Sequence, residues 1–424
     1  MDIFHELTWR GLIHQATDEN LGTILAEKSR TVYVGFDPTA DSLHIGHFLP
    51  LMNLRRFQKA GHTPIALLGG ATGMIGDPSG KSEERNLISE DVIRKNIDAI
   101  RVQMERFLDF DAVKYGAKMV NNYDWTGKFS FLEFLRDVGK HFPVNVMLAK
   151  DSVKQRLERT DSGLSYTEFS YMLLQSYDFV HLHRAFGCEL QFGGSDQWGN
   201  ITAGIDLARR LDAVQLYGIT CPLLTKSDGQ KMGKTESGTL WLNADKTSPY
   251  TFYQYWINLD DADVEKVLCF FTEIPQQETQ ELCDAHRRDP GKRSAQKRLA
   301  EELTRLVHGE SGLAIAERAT EIFFGGEIAR LDDSQLASIF ADVPSCVLKR
   351  LQLEEGLPLI DAVCSAKLAP SKAEARRTIG QGGIYVNNKP VGDVDAKLTT
   401  ADLAGETILV LRSGKKRYAL VRFE

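Results

Sequence analysis

The 424-residue chain has no apolar run long enough to span a bilayer, no Cys-x-x-Cys pair, no internal repeat and no low-complexity tract. Each absence excludes a class of protein. A membrane-spanning helix needs about 20 consecutive apolar residues, so none is expected. Six scattered cysteines (188, 221, 269, 283, 346 and 364) argue against a zinc ribbon or a disulfide framework. They suit a reducing compartment, and a cytoplasmic protein is expected. The opening residues MDIFHELTWRGL carry acids and an early arginine, so no secretory signal is expected there. A complete P-loop is missing as well. Residues 76–82 read GDPSGKS, but the pattern needs a glycine where Ile75 stands, and Gly76 lies one residue too close. Taken alone, the stretch is a polar turn with a lysine in it.

What is present is ordinary for a soluble globular chain, with 42% hydrophobic and 26% charged residues. The length exceeds a single ordinary core, so two or three domains are expected. The net charge of −7 conceals an asymmetry: from Leu357 onward eleven Lys/Arg face seven Asp/Glu, a net of +4, leaving −11 on the rest. An acidic body with a basic tail suggests that the tail meets a polyanion.

Hydrophobic patterning gives the organisation. TVYVGF (31–36) reads as a strand, HFLPLMNLRRFQKAG (47–61) as a helix and TPIALLGG (63–70) as a second strand. Such a βαβ unit implies a parallel sheet with its ligand site at the carboxyl ends of the strands. Pro50 is tolerable if the helix starts close to His47, which would put it in the first turn. Residues 89–186 read as mostly helical, interrupted by VNNYDWTGKFS (120–130), and LQFGGSDQWGN (190–200) returns to a strand ending in a Gly-rich loop. From Ser248 to Phe324 the pattern is helical, with breakers at Pro275, Pro290 and Gly291. Residues 325–356 read as a linker. The tail from 357 to 424 reads as two helices and a closing hairpin, a small α+β module.

Two stretches carry the chemistry. In YVGFDPTADSLHIGHFLP (33–50), His44 and His47 lie three apart just after a strand, with Thr39, Asp41 and Ser42 available as helix N-caps. A helix N-terminus attracts anions, so imidazoles there would sit beside a phosphate. Gly46 removes a side chain and lets a flat group approach the backbone. Two histidines at helical spacing could also bind metal, but no glutamate lies between them as in H-E-x-x-H and no cysteine is close. In KMGKT (231–235), two lysines three apart on a Gly-containing loop make a mobile cationic clamp for a polyphosphate.

HIGH together with this KMSKS-like loop resembles the class I aminoacyl-tRNA synthetases. YxGFDPTADSLHIGH, GDPSGKSEER, YxxLQxYD, GGSDQWGNI and KMGKT, in that order, resemble the bacterial tyrosyl-tRNA synthetase family in particular, and SKAEARRTIGQGGIYVNNK resembles an S4 RNA-binding module. The resemblance implies an α/β fold: a Rossmann-like parallel-sheet catalytic domain (1–247) with a helical insertion (about 115–186) forming a dimer interface. An α-helical anticodon-recognition domain (248–324) and an S4-like domain (357–424) would follow. It also implies a tyrosine–tRNA ligase acting on L-tyrosine, ATP and tRNA(Tyr) as a homodimer. Magnesium would arrive with ATP, and no dedicated protein metal site is expected.

The resemblance further suggests roles for single residues. Thr39, His44, Lys81, Arg85, Lys231, Lys234 and Thr235 would act on the phosphates, and His47 would serve the nucleotide ribose. Tyr33 and Asp178 would meet the phenolic hydroxyl of tyrosine, Asp77, Tyr171 and Gln175 its ammonium, and Gln191 and Gln197 would complete that pocket. Gly35, Asp37, Gly46 and Asp196, with the motif histidines and lysines, would hold ATP. Arg376, Arg377, Lys415 and Lys416 would contact RNA. Gly233 stands where the wider class has serine, and Val34 is apolar where some relatives are polar. A tryptophanyl enzyme, another HxGH nucleotidyltransferase and an RNA-binding scaffold without catalysis remain alternatives at this point.

Overall fold

A strand buried on both faces carries consecutive apolar side chains, and Val32, Tyr33, Val34 and Phe36 are all buried. They belong to a six-stranded sheet of β1 (Gln15–Ala16), β2 (Thr31–Phe36), β3 (Thr63–Leu68), β4 (Lys118–Asn121), β5 (Cys188–Gly194) and β6 (Tyr217–Cys221). The computed structural model describes residues 2–79, 88–150, 153–154, 164–235, 238–328 and 331–424. Strand order is β1-β6-β5-β2-β3-β4, with β2 at the centre and parallel to both β3 and β5. Only β1 runs antiparallel to its neighbour among these strands. The βαβ unit expected from sequence is therefore present, within a parallel-sheet domain.

Its helix spans Ile45–Lys59, two residues earlier than the pattern suggested. None of Thr39, Asp41 or Ser42 caps it. His44 does, its imidazole Nδ1 accepting from the Gly46 amide at 3.0 Å. Pro50 consequently falls in the second turn rather than the first, and the N–H it lacks would otherwise have met the Gly46 carbonyl. The segment read as mostly helical also contains a strand, β4, at the sheet edge. Its four residues pair on one side only and none is fully buried, so the pattern there is weak. The helix Tyr166–Phe186 is capped by the Ser165 hydroxyl and ends at Gly187, whose φ of +62° suits glycine.

The chain divides into two units, and not where the sequence suggested. The first comprises Met1–Asn243 with Asp260–Ala295, and the second Ala244–Leu259 with Gln296–Glu424. Residues 248–324 are thus not one helical domain. Hydrogen bonds give the reason. Arg10 donates to the carbonyls of Cys269 and Ile274, and Arg56 to those of Phe270 and Thr272, binding that stretch to helices of the six-stranded-sheet unit.

In the second unit the expected linker at 325–356 is also corrected. It holds the helix Asp333–Ile339 and the strand Ser345–Leu348, which pairs in parallel with the last strand, Arg417–Phe423. The resulting five-stranded sheet is covered on both faces. Leu409, Leu411, Ala419 and Val421 join a core with the helices Leu359–Ser365 and Lys372–Gly380. Ile408, Val410, Tyr418 and Leu420 alternate with them and pack on Ala319, Ile322, Leu336 and Phe340.

Candidate active site

At the carboxyl ends of β2, β5 and β6 lies a cavity of about 560 Å³. Of the residues singled out from sequence, Tyr33, Gly35, Asp37, His44, Gly46, His47, Asp77, Tyr171, Gln175, Asp178, Gln191, Asp196, Gln197, Lys231 and Lys234 all line it. Thr39 does not: it is exposed on the turn after β2. Lys81 and Arg85 fall outside the described residues, and Thr235 is described only through its backbone.

One wall is a chain of hydrogen bonds. Asp178 is buried and accepts from Trp125 Nε1 at 2.8 Å and from Asn122 Nδ2 at 3.0 Å. Asn122 also donates to the Thr72 hydroxyl, which donates to Asp37 at 2.8 Å. The Tyr171 hydroxyl donates to the other Asp37 oxygen at 3.0 Å. Burial pushes the Asp178 carboxyl up to about 7, against the opposing pull of its two donors. Asn122, Trp125 and Thr72 were not found from sequence. The available signal was position alone, since NYDW and GGATG each follow the end of a sheet strand.

A second network adjoins it. Gln197 donates to Asp77 Oδ2 at 2.7 Å and accepts from Gln175 at 3.2 Å, while Asn200 donates to Gln175 at 3.0 Å. Burial, then the neighbouring Asp77 charge, raises the Asp196 carboxyl. Asp37, Asp77, Asp178 and Asp196 therefore surround one space, which favours an ammonium group there.

The Tyr33 hydroxyl is the odd member of this wall. It is fully buried at 0% exposure, its ring packs edge-on to Phe179 at 5.2 Å, and its oxygen has no hydrogen-bond partner among the described residues. Burial first and the Asp178 charge second raise its pKa well above the usual value. Gln191, opposite Tyr33 in the β2–β5 register, likewise has an unpartnered buried oxygen. Orphaned polar atoms facing a cavity suit a polar ligand.

The cationic side is built by the two motifs. His44 and His47 stack at 3.9 Å with planes 14° apart. A Cβ on Gly46 would approach the His44 imidazole to within 2.8 Å, so this glycine keeps the cap in place. The lysine loop is docked on the same segment: Leu240 N donates to Gly233 O at 2.8 Å, and Ile45 N to Leu240 O at 3.2 Å. Gly233 has a φ of +87°, and a Cβ there would lie 1.8 Å from Ile45 Cγ2. Serine, the residue of the wider class, does not fit this loop position.

In the second unit, Arg376 and Arg377 are exposed on the helix Lys372–Gly380, and Lys415 and Lys416 are exposed in the turn of the last hairpin.

A parallel sheet with a histidine motif and a lysine loop at its carboxyl edge is the arrangement of one enzyme class. The family of class I tRNA synthetases (W and Y) matches residues 25–325, so the chain belongs to that family. The C-terminal domain of SYY-like tyrosine–tRNA ligases matches residues 335–421. A tyrosine–tRNA ligase of Rhodopirellula baltica is 59% identical over 100% of this chain and 96% of its own length. One from Roseiflexus castenholzii is 53% identical over 99% of both. The solved structure of a C-terminally truncated mitochondrial tyrosyl-tRNA synthetase of Aspergillus nidulans superposes with a TM-score of 0.68 at 32% identity. That match covers 76% of this chain and 93% of that one. Within the class, the chain is a member of the tyrosine–tRNA ligases.

Proposed function

We propose that the cavity activates L-tyrosine with ATP, forming tyrosyl-adenylate and pyrophosphate, and that the tyrosyl group then passes to the 3′-terminal adenosine of tRNA(Tyr). The tyrosine carboxylate attacks the α-phosphate and the bond to pyrophosphate breaks. A carboxylate is already nucleophilic at neutral pH, so no general base is required. Catalysis is then positioning and charge stabilisation. Tyr33 and Asp178 receive the phenolic hydroxyl, and Asp77, Gln175 and Tyr171 surround the ammonium. Gln191 and Gln197 complete that pocket. Asp196, Asp37, Gly35 and Gly46 border the nucleotide. His44, Lys231 and Lys234 face the phosphates and His47 serves the nucleotide ribose, with Thr39, Lys81, Arg85 and Thr235 assigned to the phosphates by family resemblance. Magnesium enters as the ion that travels with ATP.

The observation that carries this reading is the buried Tyr33 hydroxyl beside Asp178 without a partner of its own. A phenol supplies what it lacks, whereas phenylalanine would leave the Tyr33 hydroxyl unpaired. Pyrophosphate exchange into ATP, compared with tyrosine, phenylalanine and tryptophan, tests it. Exchange with tyrosine alone is expected. Exchange with tryptophan instead would overturn the substrate, and none with folded protein would favour an RNA-binding scaffold.

Phe131 and Leu132 stand 67% and 76% exposed in the helical insertion, with Val144 and Val146 also exposed. Such apolar exposure favours a homodimer, and light scattering giving a monomer would refute it. Arg376, Arg377, Lys415 and Lys416 are assigned to tRNA phosphates. All six cysteines are free and no described helix is long and apolar enough to cross a membrane, consistent with a cytoplasmic enzyme.

A further inference from the structure

The lysine loop rests on a helix outside both signature motifs, Asp261–Phe271. Asp263 Oδ1 accepts from the Ser227 amide at 2.7 Å, and Lys266 Nζ donates to the Thr225 carbonyl at 2.9 Å. The i, i+3 spacing places both side chains on one face of the helix. Thr225 and Ser227 open the arm that carries Lys231. Within that arm Met232 N donates to Leu224 O at 3.1 Å and Lys226 N to Gln230 O at 2.8 Å. The arm is therefore a small unit of its own, and Asp263 and Lys266 hold it by its backbone.

The far end of the same helix is fixed. Arg56, on the motif helix, donates to Phe270 O at 2.8 Å and Thr272 O at 3.1 Å, and Arg10 donates to Cys269 O at 2.9 Å. One helix is thus tied at its start to the lysine loop and at its end to the helix that His44 caps. Asp263 is 2% exposed, and its Oδ2 has no partner among the described residues. Burying a carboxylate to receive one amide is a costly way to fill a core, since an apolar side chain would do so with no solvation penalty.

We propose that Asp263, supported by Lys266, is a positioning residue for nucleotidyl transfer. It sets the base of the lysine arm so that Lys231 and Lys234 meet the leaving pyrophosphate. This rests on the reading of the cavity as a tyrosine-activating site. Tyrosine itself is held by other residues, so the effect falls on the chemical step and not on amino-acid binding.

The test is pyrophosphate exchange by the full-length chain with tyrosine varied at saturating ATP. Asp263→Ala is expected to lower kcat roughly ten- to hundredfold, the loss expected for a hydrogen bond to a charged group, with tyrosine KM unchanged within about twofold. Asp263→Asn keeps an oxygen acceptor and should recover most of the rate. Lys266→Met should show the same split, more weakly, and decides the matter if Asp263→Ala does not fold. Unchanged kcat in these variants would overturn the proposal. So would a parallel loss of kcat and tyrosine affinity that Asp263→Asn fails to rescue. Absence of exchange by the unmodified chain would instead defeat the tyrosine-activating reading itself.

Discussion

Replacing Tyr33 by phenylalanine should make this protein more stable and a poorer enzyme at once. The Tyr33 hydroxyl is fully buried and lacks a partner among the described residues. An unsatisfied buried hydroxyl costs about 1–3 kcal/mol. The contact with Phe179, ring centroids 5.2 Å apart at 65°, belongs to the ring and survives the change. The site already borders a cavity of about 560 Å³, so deleting one oxygen creates no new closed void. The ligand-free protein should therefore gain about 1 kcal/mol, or a Tm higher by about 2 °C. With tyrosine bound the sign reverses. The variant forgoes a neutral hydrogen bond worth about 1 kcal/mol, or about fivefold in tyrosine KM. Phenylalanine, which has no hydroxyl to receive, should be activated no worse than before. Thermal unfolding with and without tyrosine, paired with pyrophosphate exchange, reads both effects. A variant less stable than its parent, or one with unchanged tyrosine KM, would refute the reasoning.

Asp178 titrates near 7, far above the ordinary carboxyl value of 3.8. Because its folded-state pKa is raised, its contribution to stability is full below about pH 4 and is lost as pH rises through about 7. Function runs the other way, since the ionised form accepts from Asn122 and Trp125. Tyrosine KM should fall as pH rises through about 7, and a flat profile would contradict the assignment. Gly233→Ser should displace the lysine loop, because its φ of +87° and the 1.8 Å approach to Ile45 both exclude a side chain. A left-handed residue costs about 1–2 kcal/mol, so kcat for activation should drop by about tenfold, and undiminished kcat would mean that the docked loop is not the productive one. Neutralising Arg376, Arg377, Lys415 and Lys416 with glutamine should leave pyrophosphate exchange intact while weakening tRNA charging and flattening its salt dependence; equal charging would remove these residues from the RNA interface. This variant is a cleaner test than truncation after Gly356, which would strip the partner from Ser345–Leu348 and bare Ile322 and Phe340.

Much of the site was legible because its chemistry is local in sequence. The HIGH spacing, the lysine pair and the Tyr171–Gln175–Asp178 helix face each need only a helix or a loop to bring their members together. That is why fifteen of the singled-out residues line one cavity. The residues that went unread are those whose role depends on a distant partner. Asn122 and Trp125 matter because they meet Asp178 more than fifty positions away. Asp263 matters because it meets Ser227. A polar residue whose partner lies far along the chain has no periodic neighbour to betray it.

The same distinction separates what the two levels determined. Periodicity and turn chemistry in the sequence determined the parallel sheet, the motif helix and the hairpin of the tail, because hydrophobic alternation and helix stops act over a few residues. Tertiary structure alone decided that 260–295 belongs with the catalytic unit, and that 345–348 is a strand of the final sheet. Arginine bonds to carbonyls hundreds of residues away settle the first, and a parallel pairing with the chain's last strand settles the second. Such long-range contacts leave no local pattern, so only the folded chain could reveal them.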